Sequence, residues 1–409
     1  MIHHYASPVP RSYKYICSGP LAPYIENFLA VCVQEGYSRR MVRAKRILVV
    51  RLSRWLTSRG LSLKEFNEQQ LEHFQAKYPD CARDGNLLTG RQLLAYLRSI
   101  SAIPPAPIDH SPVAELTRRY ESFLLSERAL APVTVSDHLR IVRCFLDRRF
   151  GKKPLRLQGL QPRDLHRFIL EEARRVSRNQ AQQAAGSLRQ FMRFLRQCRL
   201  IESDLVTAIP RVASWRLSRL PKFLPPEQIE QVLQSCDCRT AVGQRDYAML
   251  LFMARLGLRS GEIAGMTLED FDWERSEFIV HGKGPRHEQL PLPRDVGTAL
   301  LRYLRHVRPV CSSRHVFVRM KAPFRAFADA NTVYAVVRSA LERAGLNPPF
   351  KGGHLFRHSL ATDLLRHGAS LTEIGQLLRH RQQNTTQIYA KVDLKALHTL
   401  AQPWMGEKQ

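Results

Sequence analysis

No stretch of about 20 consecutive apolar residues occurs anywhere in the sequence, so no helix is expected to span a bilayer and no membrane partner is expected. The opening residues, MIHHYASPVPRSYKY, lack a continuous apolar run, and no secretory signal is expected there. Close cysteine pairs are scarce as well. Eight cysteines are scattered over 409 residues, with only Cys236 and Cys238 near one another, which reads as reduced thiols in a cytoplasmic protein. Acidic residues are few: 36 Asp and Glu stand against 63 Lys and Arg, a formal net charge of +27. Such an excess suits a polyanionic partner, because each phosphate neutralised by Lys or Arg releases condensed counterions. Hydrophobic content of 44% argues for folded domains, and the length allows two or three of them. A cytoplasmic, nucleoid-associated protein that seeks phosphate is the expectation.

Two N-terminal segments resemble each other. Residues 24–74 begin with an apolar-periodic helix, break, and continue in a basic helix carrying Val49, Leu52, Trp55 and Leu56 at helical spacing. Residues 120–168 repeat that order, so that Phe123 matches Phe28, Phe145 matches Trp55, Leu165 matches Leu71 and Phe168 matches Phe74. The run of matches at nearly constant spacing raises a duplication, beside the alternative that two amphipathic helical stretches agree by chance. A Pro-rich stretch at 99–112 reads as the linker between them. The second segment runs on into a long helix striped with Leu188, Phe191, Phe194 and Leu195, and residues 209–228, rich in Pro and basic residues, form a further linker. Domains are therefore expected at 1–104, 110–210 and 220–409.

The last of these is mostly helical, with a small β insertion. PPEQIEQVLQSC opens a helix with prolines. RDYAMLLFMARLGLRSGEIAGM reads as an apolar helix, a break at Gly257 and a second helix start. FIVHGKGPRHEQLPLP gives two strand-like runs around a Gly-Lys-Gly-Pro turn.

Polar groups gather at these breaks. Arg259 starts a helix with Glu262 three residues on, Lys283 sits at the hairpin tip, and His354, Arg357 and His358 occupy the first turns of a helix opening after Gly352-Gly353. His380 and Tyr389 come last. Taken singly, each has an ordinary explanation: an i,i+3 ion pair for Arg259, a solvated turn for Lys283, a core position for Tyr389. His354 and His358 are not a zincin pair, since Leu355 stands where that pattern needs Glu, and no metal is expected. As a set they equip a different chemistry. Two guanidinium forks suit the non-bridging oxygens of a phosphate, a lysine and histidines supply proton donors and a base, and a tyrosine hydroxyl becomes a usable nucleophile when cations favour its phenolate.

GLRSGEIAGM, VHGKGPRHEQLPL, HLFRHSLATDLL and LLRHRQQNTTQIYAKV, in that order over about residues 222–400, resemble the motif series of the tyrosine recombinases, the phage-integrase family. The resemblance implies a mainly α protein: helical SAM-like DNA-binding domains plus a mixed α/β catalytic domain, mostly α with a small antiparallel sheet. It implies that Arg259 and Arg357 are catalytic arginines, Lys283 protonates the leaving 5′-oxygen, His354 is a general base or phosphate ligand, His380 donates to the phosphate, and Tyr389 is the nucleophile. Glu262 would orient Arg259, and His358 would pack beneath the site. The partner would be double-stranded DNA, with self-assembly to a tetramer on two sites or hetero-assembly with sister recombinases, through a Holliday junction and with no cofactor. Such an enzyme is an integrase, the transposase of a mobile element, or a resolvase. A type IB topoisomerase and a non-catalytic DNA-binding protein of the same fold are the alternatives. Two positions depart from the pattern: Arg379 stands where the family has Gly, and Gln383 where an apolar residue is usual.

Overall fold

A computed structural model describes residues 18–79, 86–151, 153–212, 222–282, 287–380 and 383–392. They fall into two compact units, one formed by residues 106–218 and the other by those before 106 together with those after 218. Lys283 lies outside the described residues.

The first helical bundle comprises α1 (Ile25–Gln34), α2 (Arg39–Ser58), α3 (Glu68–Lys77) and α4 (Asn86–Ser99). The second comprises α5 (Pro112–Ser122), α6 (Pro132–Phe150), α7 (Pro162–Arg175) and α8 (Arg178–Gln197). Their boundaries follow local chemistry. Ser38 accepts a hydrogen bond from Met41 N at the start of α2, Ser177 and Gln180 form a capping box on α8, and prolines open α5, α6 and α7. Each bundle encloses its own apolar core. Phe28, Trp55, Leu71 and Phe74 are all buried in the first, and Phe123, Phe145, Leu165 and Phe168 in the second. Trp55 meets Phe74 edge-on at 5.7 Å, and Phe145 meets Phe168 edge-on at 5.4 Å. Paired sequence positions thus make the same aromatic contact in both bundles.

The C-terminal part is built on α10 (Ala241–Leu256), whose middle is buried on all sides. Around it pack α9 (Pro226–Gln234), α11 (Ser260–Gly265), α12 (Arg294–His306), α13 (Asn331–Arg343) and α14 (His354–Arg366). An antiparallel sheet of order β1-β2-β3 joins them: β1 (Phe271–Asp272), β2 (Glu277–His281) and β3 (His287–Pro291), with Phe278 opposite Leu290 and His281 opposite His287. Phe278 and Val280 point into the core, while Ile279 and His281 face out, the period-2 alternation of a half-buried strand. Then come α15 (Leu371–Leu377) and a 3-10 segment, Gln383–Val392.

Two glycines set the geometry of the site. Gly257 ends α10 in the left-handed conformation, φ 59°, and turns the chain so that α11 can begin three residues later. Gly353 precedes α14 where a methyl group would run into Ser260 Oγ, so α11 and α14 start in contact. Gly257→Ala is expected to destabilise this part by about 1–2 kcal/mol from the left-handed backbone alone, with more from the Leu378 methyl 2.7 Å from the new Cβ. An unchanged urea midpoint would refute that assignment.

Candidate active site

Where α11 and α14 begin, backbone donors and charged side chains converge. Arg259 is the N-cap of α11. Its N–H donates to Glu262 Oε2 (2.8 Å) and its Nη1 to Glu262 Oε1 (2.5 Å), so one carboxylate satisfies an orphan helix donor and fixes the guanidinium. Glu262 is buried and also accepts from Arg379 Nη2 at 3.1 Å. Burial alone would raise its pKa, but the Arg259 N–H and the Arg379 and Arg259 charges outweigh that and hold it below the usual carboxylate range. Glu262 is therefore an anion shared by two guanidiniums.

Arg357, on the first turn of α14, is 2% exposed. Its Nη1 donates to the carbonyl of Gly257 at 2.7 Å, while Nη2 is buried with no hydrogen-bond partner among the described residues. Burial, Arg259 and Arg379 push its pKa down to about 9, which leaves the guanidinium charged at neutral pH. A buried donor without an acceptor is costly, and a phosphate oxygen is a suitable acceptor for it.

The histidines are electrically different. His354 opens α14 at the edge of the cleft, where surrounding protein and then Arg357 and Arg259 lower its pKa. Burial, first of all, pushes His358 and His380 down to about 4, assisted at His358 by His354 and Arg357 and at His380 by Arg357 and Arg259. All three are thus neutral at pH 7, acceptors as much as donors. His380 Nδ1 lies 2.7 Å from the Thr386 hydroxyl.

Tyr389 is carried by the 3-10 segment and is 1% exposed, packed with Ala361, Ile374 and Leu378. Its hydroxyl lies 2.9 Å from His358 Nδ1, and its ring stacks on His380 at 6.4 Å. Burial raises its pKa to about 12, against the opposing charge of Arg357. The phenol is therefore both a core aromatic and a member of the polar site, protonated and turned inward.

Beside these groups opens a cleft of about 1380 Å³ lined by Arg259, Glu262, His354, Arg379 and His380, with His281 at the hairpin base. His281 Nε2 lies 2.6 Å from the buried carboxylate of Asp270, which fixes its ring. Of the six residues singled out from the sequence, the structure brings Arg259, His354, Arg357, His380 and Tyr389 together, while Lys283 lies outside the described residues. Glu262 orients Arg259, as expected. Three contributors escaped the sequence reading: His358 as the partner of the Tyr389 hydroxyl, Arg379 as the second cation on Glu262, and Asp270 behind His281. His358 was legible only as the neighbour of Arg357, and its contact spans 31 residues of chain. Among the described residues no group of three His, Cys, Asp or Glu side chains is disposed to hold a metal ion.

Residues 222–395 match the model of the phage integrase family. Over 394 residues, 96% of each chain, the sequence is 41% identical to a Sinorhizobium fredii protein named as an integrase/recombinase, y4rA. The chain belongs to the phage integrase family, the tyrosine recombinases. A tyrosine recombinase XerD of Pseudomonas putida is 31% identical over 252 residues, 60% of this chain and 78% of that one. The fold of this recombinase is similar to that of XerH bound to a palindromic difH substrate in a post-cleavage complex, with a TM-score of 0.54 over 70% of this chain and 84% of that one, at 22% identity. A lambda integrase dimer bound to a core site gives a TM-score of 0.52 over 72% of this chain and 98% of that one, at 15% identity.

The depressed histidine pKa of about 4 carries a stability consequence. A group that is harder to protonate in the folded state than at the unfolded value near 6.5 contributes stability that is full above about pH 6.5 and lost as the pH falls toward the folded value. The melting temperature of the recombinase is therefore expected to drop between pH 6.5 and 4, and His358→Gln is expected to flatten that slope. Equal slopes for wild type and variant would contradict the burial of a neutral His358.

Proposed function

We propose that the recombinase performs site-specific strand exchange on double-stranded DNA, with Tyr389 as its nucleophile. The phenolic oxygen attacks a phosphodiester, forming a 3′-phosphotyrosyl bond and breaking the bond to a 5′-oxygen, which leaves as a free 5′-hydroxyl. Attack by a 5′-hydroxyl of the partner duplex reverses the step. The energy of the broken bond stays in the phosphotyrosyl link, so neither hydrolysis nor a nucleotide cofactor is required. The observation that carries this reading is a phenol whose hydroxyl already contacts a neutral imidazole, close enough to Arg357 to feel its charge, with Arg259 close to Arg357 in turn.

Each group has a role that its surroundings support. Arg357 Nη2 and Arg259 meet the non-bridging oxygens and the charge that grows on phosphorus. Neutral His354 or His358 accepts the phenolic proton, and His380 donates to the phosphate. Lys283, which lies outside the described residues, protonates the leaving oxygen on this reading. For attack, Tyr389 must leave its apolar seat against Leu378 and approach the cleft, where cations favour its phenolate.

Residues 110–210 act on this reading as a domain that grips DNA, and residues 1–104 as a second copy of it. The repeated edge contacts of Trp55 with Phe74 and Phe145 with Phe168 support that duplication. Strand exchange calls for four protomers on two sites, through a Holliday junction, either of this chain alone or with sister recombinases. Integration or transposition of a mobile element fits such an activity.

Nicked suicide DNA bearing the cognate site tests the chemistry. Wild type is expected to form a covalent protein–DNA adduct, and Tyr389→Phe none. Arg357→Ala is expected to lower adduct formation by about 100-fold or more with little loss of DNA binding, because many other cations hold the duplex. Adducts of equal yield in wild type and Tyr389→Phe would overturn the assignment.

A further inference from the structure

Arg379 occupies a position that a glycine would fill more easily. Its φ is 54°, in the left-handed region that residues with a Cβ seldom adopt, and it directly precedes His380 in the strip leading to Tyr389. A side chain there with no task would extend into solvent. This one turns inward: its side chain is 4% exposed, Nη2 donates to Glu262 Oε2 at 3.1 Å, and Nη1 donates to the Leu377 carbonyl at the end of α15. The backbone takes part as well, since the Arg379 carbonyl accepts from Arg259 Nη2 at 3.3 Å. Arg259 is thus held from two sides by one residue, through a shared carboxylate and through a carbonyl.

Charge makes the arrangement consequential. Alone with Arg259, the Glu262 carboxylate would close on it as a simple ion pair and cancel its charge. Divided between two guanidiniums, the same carboxylate orients Arg259 and leaves net positive charge at the cleft, which both arginines line. Helix capping by itself does not account for the side chain, because a glycine satisfies a left-handed C-terminal position without strain. Among the described residues, the cost of burying a second guanidinium is offset by Glu262, by the Leu377 carbonyl and by the nearby Glu288 carboxylate.

We propose that Arg379 is a positioning residue for Arg259: by sharing Glu262 and lending its own carbonyl, it holds the Arg259 fork toward the scissile phosphate and ties it to the segment that carries Tyr389. The proposal rests on the strand-exchange reading above. Displacing Arg259 by about 1 Å is expected to slow cleavage on the order of 100-fold.

The test uses full-length protein in single-turnover cleavage of nicked suicide DNA, with DNA affinity and melting temperature measured alongside. Arg379→Gly keeps the backbone conformation and removes the guanidinium. It is expected to bind DNA as wild type does, to melt as a folded protein, and to form adduct about 10- to 100-fold more slowly. Arg379→Lys, which restores charge without the fork, is expected to recover part of the rate. In an Arg259→Lys background the Arg379→Gly change is expected to add little, because residues acting through one another are non-additive. The Arg259 Nε–H resonance of the free protein is expected to shift and broaden in Arg379→Gly. A wild-type cleavage rate in Arg379→Gly, the same fold loss in both Arg259 backgrounds, or an unmoved Arg259 resonance would each overturn the proposal. Failure of wild type itself to form adduct would strike the strand-exchange reading instead, and the Arg259 resonance would still decide the contact. Should Arg379→Gly not fold, Arg379→Lys carries the same comparisons.

Discussion

Guanidinium groups repel one another, and three of them, from Arg259, Arg357 and Arg379, act on the same buried region. Among the described residues, Glu262 alone stands among them as a buried anion with hydrogen bonds to two. Its carboxylate also caps α11 through the Arg259 N–H, so the same atom set starts a helix, orients an arginine and permits a second one. Removing one partner of such a buried group typically costs about 3–5 kcal/mol, far more than an exposed ion pair contributes. Arg357 is secured differently, by the Gly257 carbonyl at the left-handed end of α10. The cationic site therefore depends on one anion and one turn, both set within a few residues of the α10–α11 junction.

Against this fixed cationic frame, the tyrosine is held back. Tyr389 lies in a small apolar cluster with Ile374 and Leu378, apart from the main core around α10. Burial raises its pKa to about 12, so the neighbouring cations do not ionise it in this conformation. The segment bearing it is a 3-10 stretch, Gln383–Val392, a geometry poorer in hydrogen bonding than an α-helix and better suited to rearrange. The contact from His358 satisfies the hydroxyl meanwhile. A neutral, buried phenol is inert as a nucleophile until its surroundings change.

Local features of the sequence predicted local structure well. Gly257 between two helices, the prolines before α9, the paired strand runs β2 and β3, and the Gly352-Gly353 entry to α14 all follow from neighbouring residues on their own. Arg259 and Arg357 were legible because each follows a glycine break in a recognisable motif. The network around them was not. Arg379 meets Glu262 across 117 residues, and Tyr389 meets His358 across 31; no periodicity records such contacts. Arg379 could be seen from the sequence only as a departure from a glycine, which pointed to a backbone with positive φ. The chain keeps that backbone, φ 54°, and uses the side chain for something a glycine cannot do.

The central claim is that the tyrosine waits in an apolar seat, protonated and bonded to His358, and gains its reactivity only on moving toward the cationic cleft. Incorporating 3-fluorotyrosine and assigning residue 389 by its absence in the Tyr389→Phe spectrum would allow fluorine NMR to follow that one phenol. In the free protein its titration is expected far above that of the exposed fluorotyrosines, because burial raises this phenol. On binding the DNA site, its resonance is expected to move and its titration to fall. A free-protein Tyr389 that already titrates with the exposed tyrosines, or one that DNA leaves unmoved, would contradict the account.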